Sequence, residues 1–515
     1  MTSVAKHASS GAGMESASKR ARTGPCEESA EMKLAAKRNR KRIHYLQKAY
    51  GKHVAKHGEP PILFDIVTLL GRDKVDAIVA HGAEFDRVAP FGEEVVVTID
   101  RLSSHGDGIA ITPQGNRVLV VPFALPAEVV RVLPYATERL YFKARIVEMI
   151  QRNDTLRDDG LVQCHYFGRC GGCQYQMIPY EEQLRVKQRV VENAFANYAN
   201  LDSALVPAVL PTAASPQTMH YRTKLTPHFD LPAALRRRDR AEAPPAADIR
   251  VSIGFDDVTT GRVMDIEECP IGTAELNAAL PEQRAKVQAC VGRPPEIDRR
   301  NILQYKNGAT LLLRDTLQGF DATERDESAV VTDHKATVRE VVGPTKFLTP
   351  AGAFFQNNRS IIPLVVDYVK EQPFLRAPTD QPRHLVDTYC GSGLFALTLA
   401  PIFDEVAGVE ISASSIECAK QNAALNGIKN AKFLAGNAEH IFSEIAYPAK
   451  QTTVVIECTQ ARDVGSLVRA CPSYKIQSVR GFDFFPQTQY VGWSDALTET
   501  SHVEGVCILE NTEYQ

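Results

Sequence analysis

Three cysteines stand in the pattern C-x5-C-x2-C within "CHYFGRCGGCQYQ": Cys164, Cys170 and Cys173. A fourth, Cys269, lies in "EECPIG" and is followed by a proline. Thiolates are soft ligands, and four of them suit either zinc or an iron–sulfur cluster; spacing alone does not choose between the two. Gly168, Gly171 and Gly172 let the backbone wrap closely around such a centre. The chain carries 11 cysteines in all. Its first residues lack the apolar core of a secretory signal, which predicts an intracellular protein. In that setting thiols are ligands, nucleophiles or free groups rather than a disulfide framework.

The second constellation is "HLVDTYCGSGLFALTLA". A strand over His384 to Asp387 runs into a turn with Gly391 and Gly393, and a helix starts near Leu394. Glycines there permit a tight turn and close approach of a ligand to the backbone, with the helix N-terminus facing it. A further strand, "EVAGVE", ends at Glu410, an acidic residue placed to take ribose hydroxyls. Asn437 follows a third strand and is placed to touch adenine. With Ala396 as a third small residue the glycines also fit a dinucleotide fingerprint. The D-x-x-x-G-x-G form led by Asp387 equally suits S-adenosyl-L-methionine.

These residues need elements to hold them. From Phe91 to about Met149 short strand-like runs alternate with glycine turns, the spacing of a small barrel such as the oligonucleotide-binding class. Residues 180–199 have helical periodicity. Residues from about 205 to 350 mix short strands and loops, and "PAALRRRDRAEAPPAAD" (Pro232 to Asp248) reads as a surface insertion. From about Ile361 the chain alternates helix and strand, which predicts a parallel α/β sheet. At 515 residues, three to four domains are expected. No apolar run reaches the ~18 residues of a membrane span. The net charge of −3 is unevenly spread: Lys33 to His57 holds nine Lys/Arg and no Asp/Glu. Residues 1–58 are expected to form a disordered basic tail, either an arm for nucleic acid or an import signal.

Further motifs now become readable together. "YRTKL" (Tyr221 to Leu225), "FFQNN" (Phe354 to Asn358), "RGFDFFPQT" and "HVEGVCIL" accompany the barrel, the cysteine set and the glycine loop. In this combination the chain resembles the RNA (uracil-5-)-methyltransferase family of the TrmA and RlmD type, most closely its fungal tRNA uracil-54 branch. The resemblance covers nearly everything from about residue 60. It implies a TRAM barrel over 86–150 and a cysteine-cluster and RNA-binding region over 151–350. A class I, Rossmann-like methyltransferase domain follows over 351–515. It further implies that Cys164, Cys170, Cys173 and Cys269 hold a 4Fe–4S cluster, and that Gln356, Tyr389, Gly391, Gly393, Glu410 and Asn437 hold S-adenosyl-L-methionine. Glu504 matches the family's general base. The implied reaction is methylation of carbon 5 of a tRNA uridine, at position 54, by a monomer with no membrane association. A ribosomal RNA substrate is the alternative within the family.

Two departures stand against that pattern. In the family, the strand resembling "VVIE" leads into Asp-Pro-Pro-Arg, a helix, and a strand ending in Ser-Cys-Asn whose cysteine is the nucleophile. Here Glu457 is joined directly to Cys458, and about one α/β unit of ~30 residues is absent. Cys458 is then either the nucleophile with its strand deleted or a residue created by the join. The loss of the Asn-containing spacer favours the join. Second, "QYVGWSDALTETS" (Gln489 to Ser501) separates two motifs that the family keeps nearly adjacent. The expectation is a methyltransferase by descent, impaired as written, with a catalytically dead tRNA-binding or tRNA-folding protein as the alternative.

Overall fold

The runs "VVVT", "GIAI" and "VLVV" carry β-branched residues that favour a pleated, half-buried surface. In the computed structural model they become strands of a curled sheet. The structure describes residues 30–231, 250–291, 308–320, 328–377, 380–436, 452–457, 461–488 and 505–511. It divides into two units, one ending at His53 and the other running from Val54.

The first unit carries most of helix α1 (Ala30–His57). This corrects the expectation of a disordered tail over the whole of 1–58. Its Ala, Leu, Lys, Arg and Gln are strong helix formers, and no proline interrupts them. Among the described residues no helix is long and apolar enough to cross a membrane.

In the second unit, helices α2 (Pro61–Leu70) and α3 (Arg72–Ala80) precede the barrel. Its strands are β1 (Val95–Thr98), β2 (Arg101–Leu102), β3 (Gly108–Ile111), β4 (Val118–Val121), β5 (Val129–Thr137) and β6 (Tyr141–Gln151). They form one sheet in the order β1-β5-β6-β4-β3-β2. Alternation along β5 turns Val130 and Val132 inward to meet Val97, Leu119, Val121 and Phe142.

Helix α4 (Tyr180–Tyr198) and strand β7 (Leu210–Ala213) come next. The central strands are β8 (Lys224–Leu225), β9 (His228–Asp230), β10 (Ile253–Asp256), β11 (Val263–Asp265), β12 (Gly308–Thr310), β13 (Leu313–Leu317) and β14 (Ser328–Val331), with helix α5 (Ala274–Val291) between β11 and β12. They make a four-stranded sheet, β11-β10-β9-β12, and a three-stranded one, β14-β13-β8. A hairpin follows, β15 (Thr337–Val342) and β16 (Thr345–Pro350).

The last layer begins with helices α6 (Ile362–Lys370) and α7 (Pro373–Arg376). Then come β17 (His384–Asp387), α8 (Leu394–Leu399), β18 (Glu405–Glu410), α9 (Ala413–Leu425), β19 (Ala431–Ala435), β20 (Thr452–Glu457), α10 (Ala461–Ala470), β21 (Tyr474–Phe482) and β22 (Gly505–Asn511). The seven-stranded sheet runs β19-β18-β17-β20-β22-β21-β7. Strands β19, β18, β17 and β20 are parallel, as the helix–strand alternation predicts. β22 pairs antiparallel with β20, Ile456 opposite Cys507 and Glu457 opposite Val506. The sheet is covered on both faces. Leu385, Val406, Val506 and Ile508 point toward α6, α8 and α9, while Val386, Cys507 and Leu509 point toward α4 and α10. The sheet thus takes in α4 and β7, which the sequence places in the central region.

Candidate functional site

Strand β17 ends in the buried Asp387, and the chain turns through Gly391 (φ +51°) and Gly393 (φ +92°) into α8. An L side chain rarely adopts such φ values, so these positions call for glycine. A side chain at Gly393 would also press on Leu397 at 3.0 Å, whereas the space over Gly391 is open. The Asp387 carboxylate accepts a hydrogen bond from the Ala396 amide at 2.9 Å, tying the strand end to the helix start. Burial pushes its pKa up to about 7, against the Ala396 and Tyr389 amides, and the charge of Glu410 adds to the rise. Glu410, at the end of β18, accepts from the Gly391 amide at 3.3 Å and the Ser412 amide at 2.8 Å. The strand, the glycine turn and the acidic residue therefore meet as the sequence predicts. Tyr389 is in the same turn, but its hydroxyl donates to Asp463 in the first turn of α10.

Gln356 is buried in the loop between β16 and α6. Its neighbours are anchored from both sides. Thr223 of "YRTKL" donates its amide to the Asn357 carbonyl at 2.8 Å. Asn358 donates to Ser215 at 2.9 Å and to the Phe484 carbonyl at 3.2 Å. Arg314 donates to the Asn357 side chain at 2.6 Å and to Glu340 at 3.2 Å. Arg359 in turn bonds Glu340 and, at 3.1 Å, Asp315. Two guanidinium groups and two carboxylates thus satisfy one another beneath the loop, which is what buried charge requires. The "FDFFPQT" segment is fixed likewise. Lys187 of α4 bonds Asp483 at 2.5 Å, both side chains fully buried, and Tyr221 donates to the Pro486 carbonyl at 3.0 Å.

All four cysteines line one cavity of about 420 Å³, together with Arg222, Asn357, Phe485 and Thr488. The cysteine loop, "YRTKL", "FFQNN" and "FFPQT" therefore converge. Burial pushes the Cys269 thiol up to about 11, with the Arg222 guanidinium opposing, and raises Cys173 further, with Cys269 adding to the rise. Cys164 and Cys170 are also raised by burial. Such thiols ionise readily only against a positive centre. Yet among the described residues no three His, Cys, Asp or Glu side chains stand close enough to hold a single metal ion. The four cysteines expected as ligands do share one space.

Cys458, Glu504 and Asn437 lie outside the described residues, as do the expected insertions at 232–248 and 489–501. Sequence reasoning missed Asn422 and Asn426. Asn422 is fully buried, donates to the Ser392 carbonyl at 3.1 Å in the glycine turn and accepts from the Leu348 amide at 2.8 Å in β16. Asn426 accepts from the Lys346 amide at 2.8 Å and donates to its carbonyl at 2.7 Å. Two amides one helical turn apart thus bond β16 at alternate residues. The signal was an asparagine on the buried stripe Ile416, Ala419, Ala423 of α9.

A tRNA (uracil-5-)-methyltransferase family model matches residues 337–451, and a TRAM domain model matches residues 91–141. The tRNA (uracil(54)-C(5))-methyltransferase of Schizosaccharomyces pombe is 42% identical over 433 residues, spanning 78% of this chain and 77% of its own length. The protein of the same name from Saccharomyces cerevisiae is 31% identical over 500 residues, spanning 80% of this chain and 73% of its own length. Among solved structures, Pyrococcus abyssi tRNA (uracil-54, C5)-methyltransferase in complex with S-adenosyl-L-homocysteine shares 18% identity at a TM-score of 0.49, covering 80% of this chain and 99% of that one. Identity at the level of the two fungal relatives, over more than two thirds of their length, means that the chain belongs to the tRNA (uracil-5-)-methyltransferase family.

Proposed function

We propose that this chain is built to methylate carbon 5 of a uridine in tRNA, at position 54, using S-adenosyl-L-methionine. The observation that carries the reading is the cradle of Asp387, Gly391, Gly393 and Glu410, with the buried Gln356 loop held beside the same helical layer. Both fungal relatives bear uracil-54 names. S-adenosyl-L-methionine supplies an electrophilic methyl on a sulfonium. Glu410 takes the ribose hydroxyls, and the open backbone at Gly391 admits the ligand. Carbon 5 of uracil is a poor nucleophile, so a cysteine thiolate adds to carbon 6 and makes carbon 5 enolate-like. After methyl transfer Glu504 removes the carbon 5 proton and the cysteine departs, leaving the methylated base. The uridine must leave its stack to be reached. The family resemblance supports a 4Fe–4S cluster, which Cys164, Cys170, Cys173 and Cys269 would hold from the cavity they line together.

A second reading is favoured by the β20–β22 pairing and the Tyr389–Asp463 bond: a chain that binds tRNA but does not methylate it. The family match ends at residue 451, just ahead of the Glu457–Cys458 join. The direct pairing of β20 with β22 is what a sheet lacking one α/β unit would adopt. In this reading Cys458 is a product of the join rather than a nucleophile. Two measurements separate the readings. Peptide mass spectrometry of the native protein across Thr452 to Arg469 either returns "VVIECTQAR" or returns an interposed Ser-Cys-Asn segment. Labelled methyl transfer to unmodified tRNA, mapped by nuclease digestion, then tests the activity. Transfer at a uridine other than 54, or to ribosomal RNA alone, would refute the substrate. Methylation without a trapped cysteine adduct on 5-fluorouracil RNA would refute the covalent route.

A further inference from the structure

Helix α1 is absorbed by none of the sites above. From Lys37 to Lys56 it carries eight Lys/Arg and no carboxylate. At 100° per residue, these eight fall within an arc of about 200°. Lys37, Arg38, Arg40, Lys41, Lys48, Lys52 and Lys56 are all exposed, and Arg42 is half-buried at the rim. Tyr45 stands within the same arc and is 71% exposed. Ile43, Leu46, Tyr50 and Val54, at i, i+3, i+7 and i+11, occupy a stripe on the opposite side, and each is half-buried.

We propose that the cationic face of α1 is a docking surface for the phosphate backbone of the substrate tRNA. The inference rests on the reading of this chain as a tRNA-directed protein. Three observations carry it. The cations are segregated on one face, over about 30 Å of helix from Lys37 to Lys56, a length that meets several phosphates. Lys37/Lys41, Arg38/Arg42, Lys48/Lys52 and Lys52/Lys56 are like-charged pairs at i,i+4, which repel within the helix. A polyanion on that face relieves the repulsion. A net charge of −3 with nine cations in this one helix leaves the rest of the chain acidic, so cation is concentrated where it is most exposed. An anionic membrane is the less suitable partner. The only large apolar side chains exposed on this face among the described residues are Leu34 and Tyr45, too few to form the broad apolar face that a helix buries in a bilayer.

The test is tRNA binding by the full chain, followed by fluorescence anisotropy over a range of KCl. The triple variant K41Q/K48Q/K52Q should bind unmodified tRNA about tenfold or more weakly near 0.1 M salt. Its plot of log affinity against log salt should be shallower by about 2, at roughly 0.7–0.9 for each phosphate no longer neutralised. Gln47→Ala, a neutral position just outside the cationic arc, should leave the slope unchanged. An unaltered slope in the triple variant, with the fold intact by circular dichroism, overturns the proposal. So does loss of binding to phosphatidylserine vesicles with tRNA binding unchanged. Methyl transfer by the unsubstituted chain at saturating tRNA is measured in parallel. Absent transfer with the slope change intact refutes the catalytic reading and leaves the docking face standing.

Discussion

At pH 7 the Asp387 carboxyl is divided between its two protonation states, because burial lifts its pKa from 3.8 to about 7. Between those values the folded protein keeps a proton that the unfolded chain gives up. The stability from this group is fully present below about 3.8 and is lost as pH rises through about 7. Asp387→Asn keeps an acceptor for the Ala396 amide and removes the titration. The thermal midpoint of the variant should therefore decline less steeply from pH 4 to 8, by the slope that one proton contributes; equal slopes would contradict the burial of this carboxyl. Glu410 is a different case, since both its oxygens already hold backbone amides. Glu410→Ala should weaken S-adenosyl-L-homocysteine binding about 10–100-fold by calorimetry, the range for hydrogen bonds to a charged group. These residues were legible in the sequence because a glycine turn between two strands constrains its own geometry. Tyr389 was legible as a member of the turn, but not as a partner of Asp463. That bond depends on where α10 packs, which no local pattern encodes.

Among the elements, α9 and β16 show what local pattern conveys and what it leaves out. Strand β5 and helix α4 follow their periodicity closely, since alternation and helical stripes are set by burial on one face, whereas β17 and α8 are buried throughout. The Asn422–Asn426 ladder does not announce itself, because asparagine usually marks a turn or cap rather than a buried helix face. Asn422→Ala would leave the Leu348 amide and the Ser392 carbonyl unpaired. A loss of about 2–6 kcal/mol in urea unfolding is expected, from roughly 1–3 kcal/mol for each of the two stranded groups. A loss smaller than about 1 kcal/mol would mean that water replaces the side chain. Helix α1 shows the reverse error. High charge suggested disorder, yet helix propensity and a regular apolar stripe prevailed.

Across the whole molecule, the Lys187–Asp483 pair joins residues nearly 300 positions apart in sequence and binds α4 to the loop after β21. Burial lowers the Lys187 pKa, and the Asp483 charge opposes that. Lys187→Met should destabilise the fold by about 3–5 kcal/mol, because it leaves the buried Asp483 charge without its counter-ion, and K187M/D483L should recover only part of the loss, since the Tyr180 hydroxyl and the Phe485 amide also donate to Asp483. Chemical denaturation of the three variants checks both. If the double variant is no better than the single one, the pair is not the source. Sequence could not disclose such a contact, nor that α4 and β7 complete the last sheet. The β20–β22 pairing carries one more consequence, for how copies of this protein meet one another. Because β22 closes directly onto β20, neither presents an open row of amides and carbonyls. Among the described residues, the free margins of the seven-stranded sheet are β19 and β7, five and four residues long. Margins so short are poor templates for recruiting a foreign strand. The sheet, shortened or not, is thereby guarded against edge-to-edge aggregation.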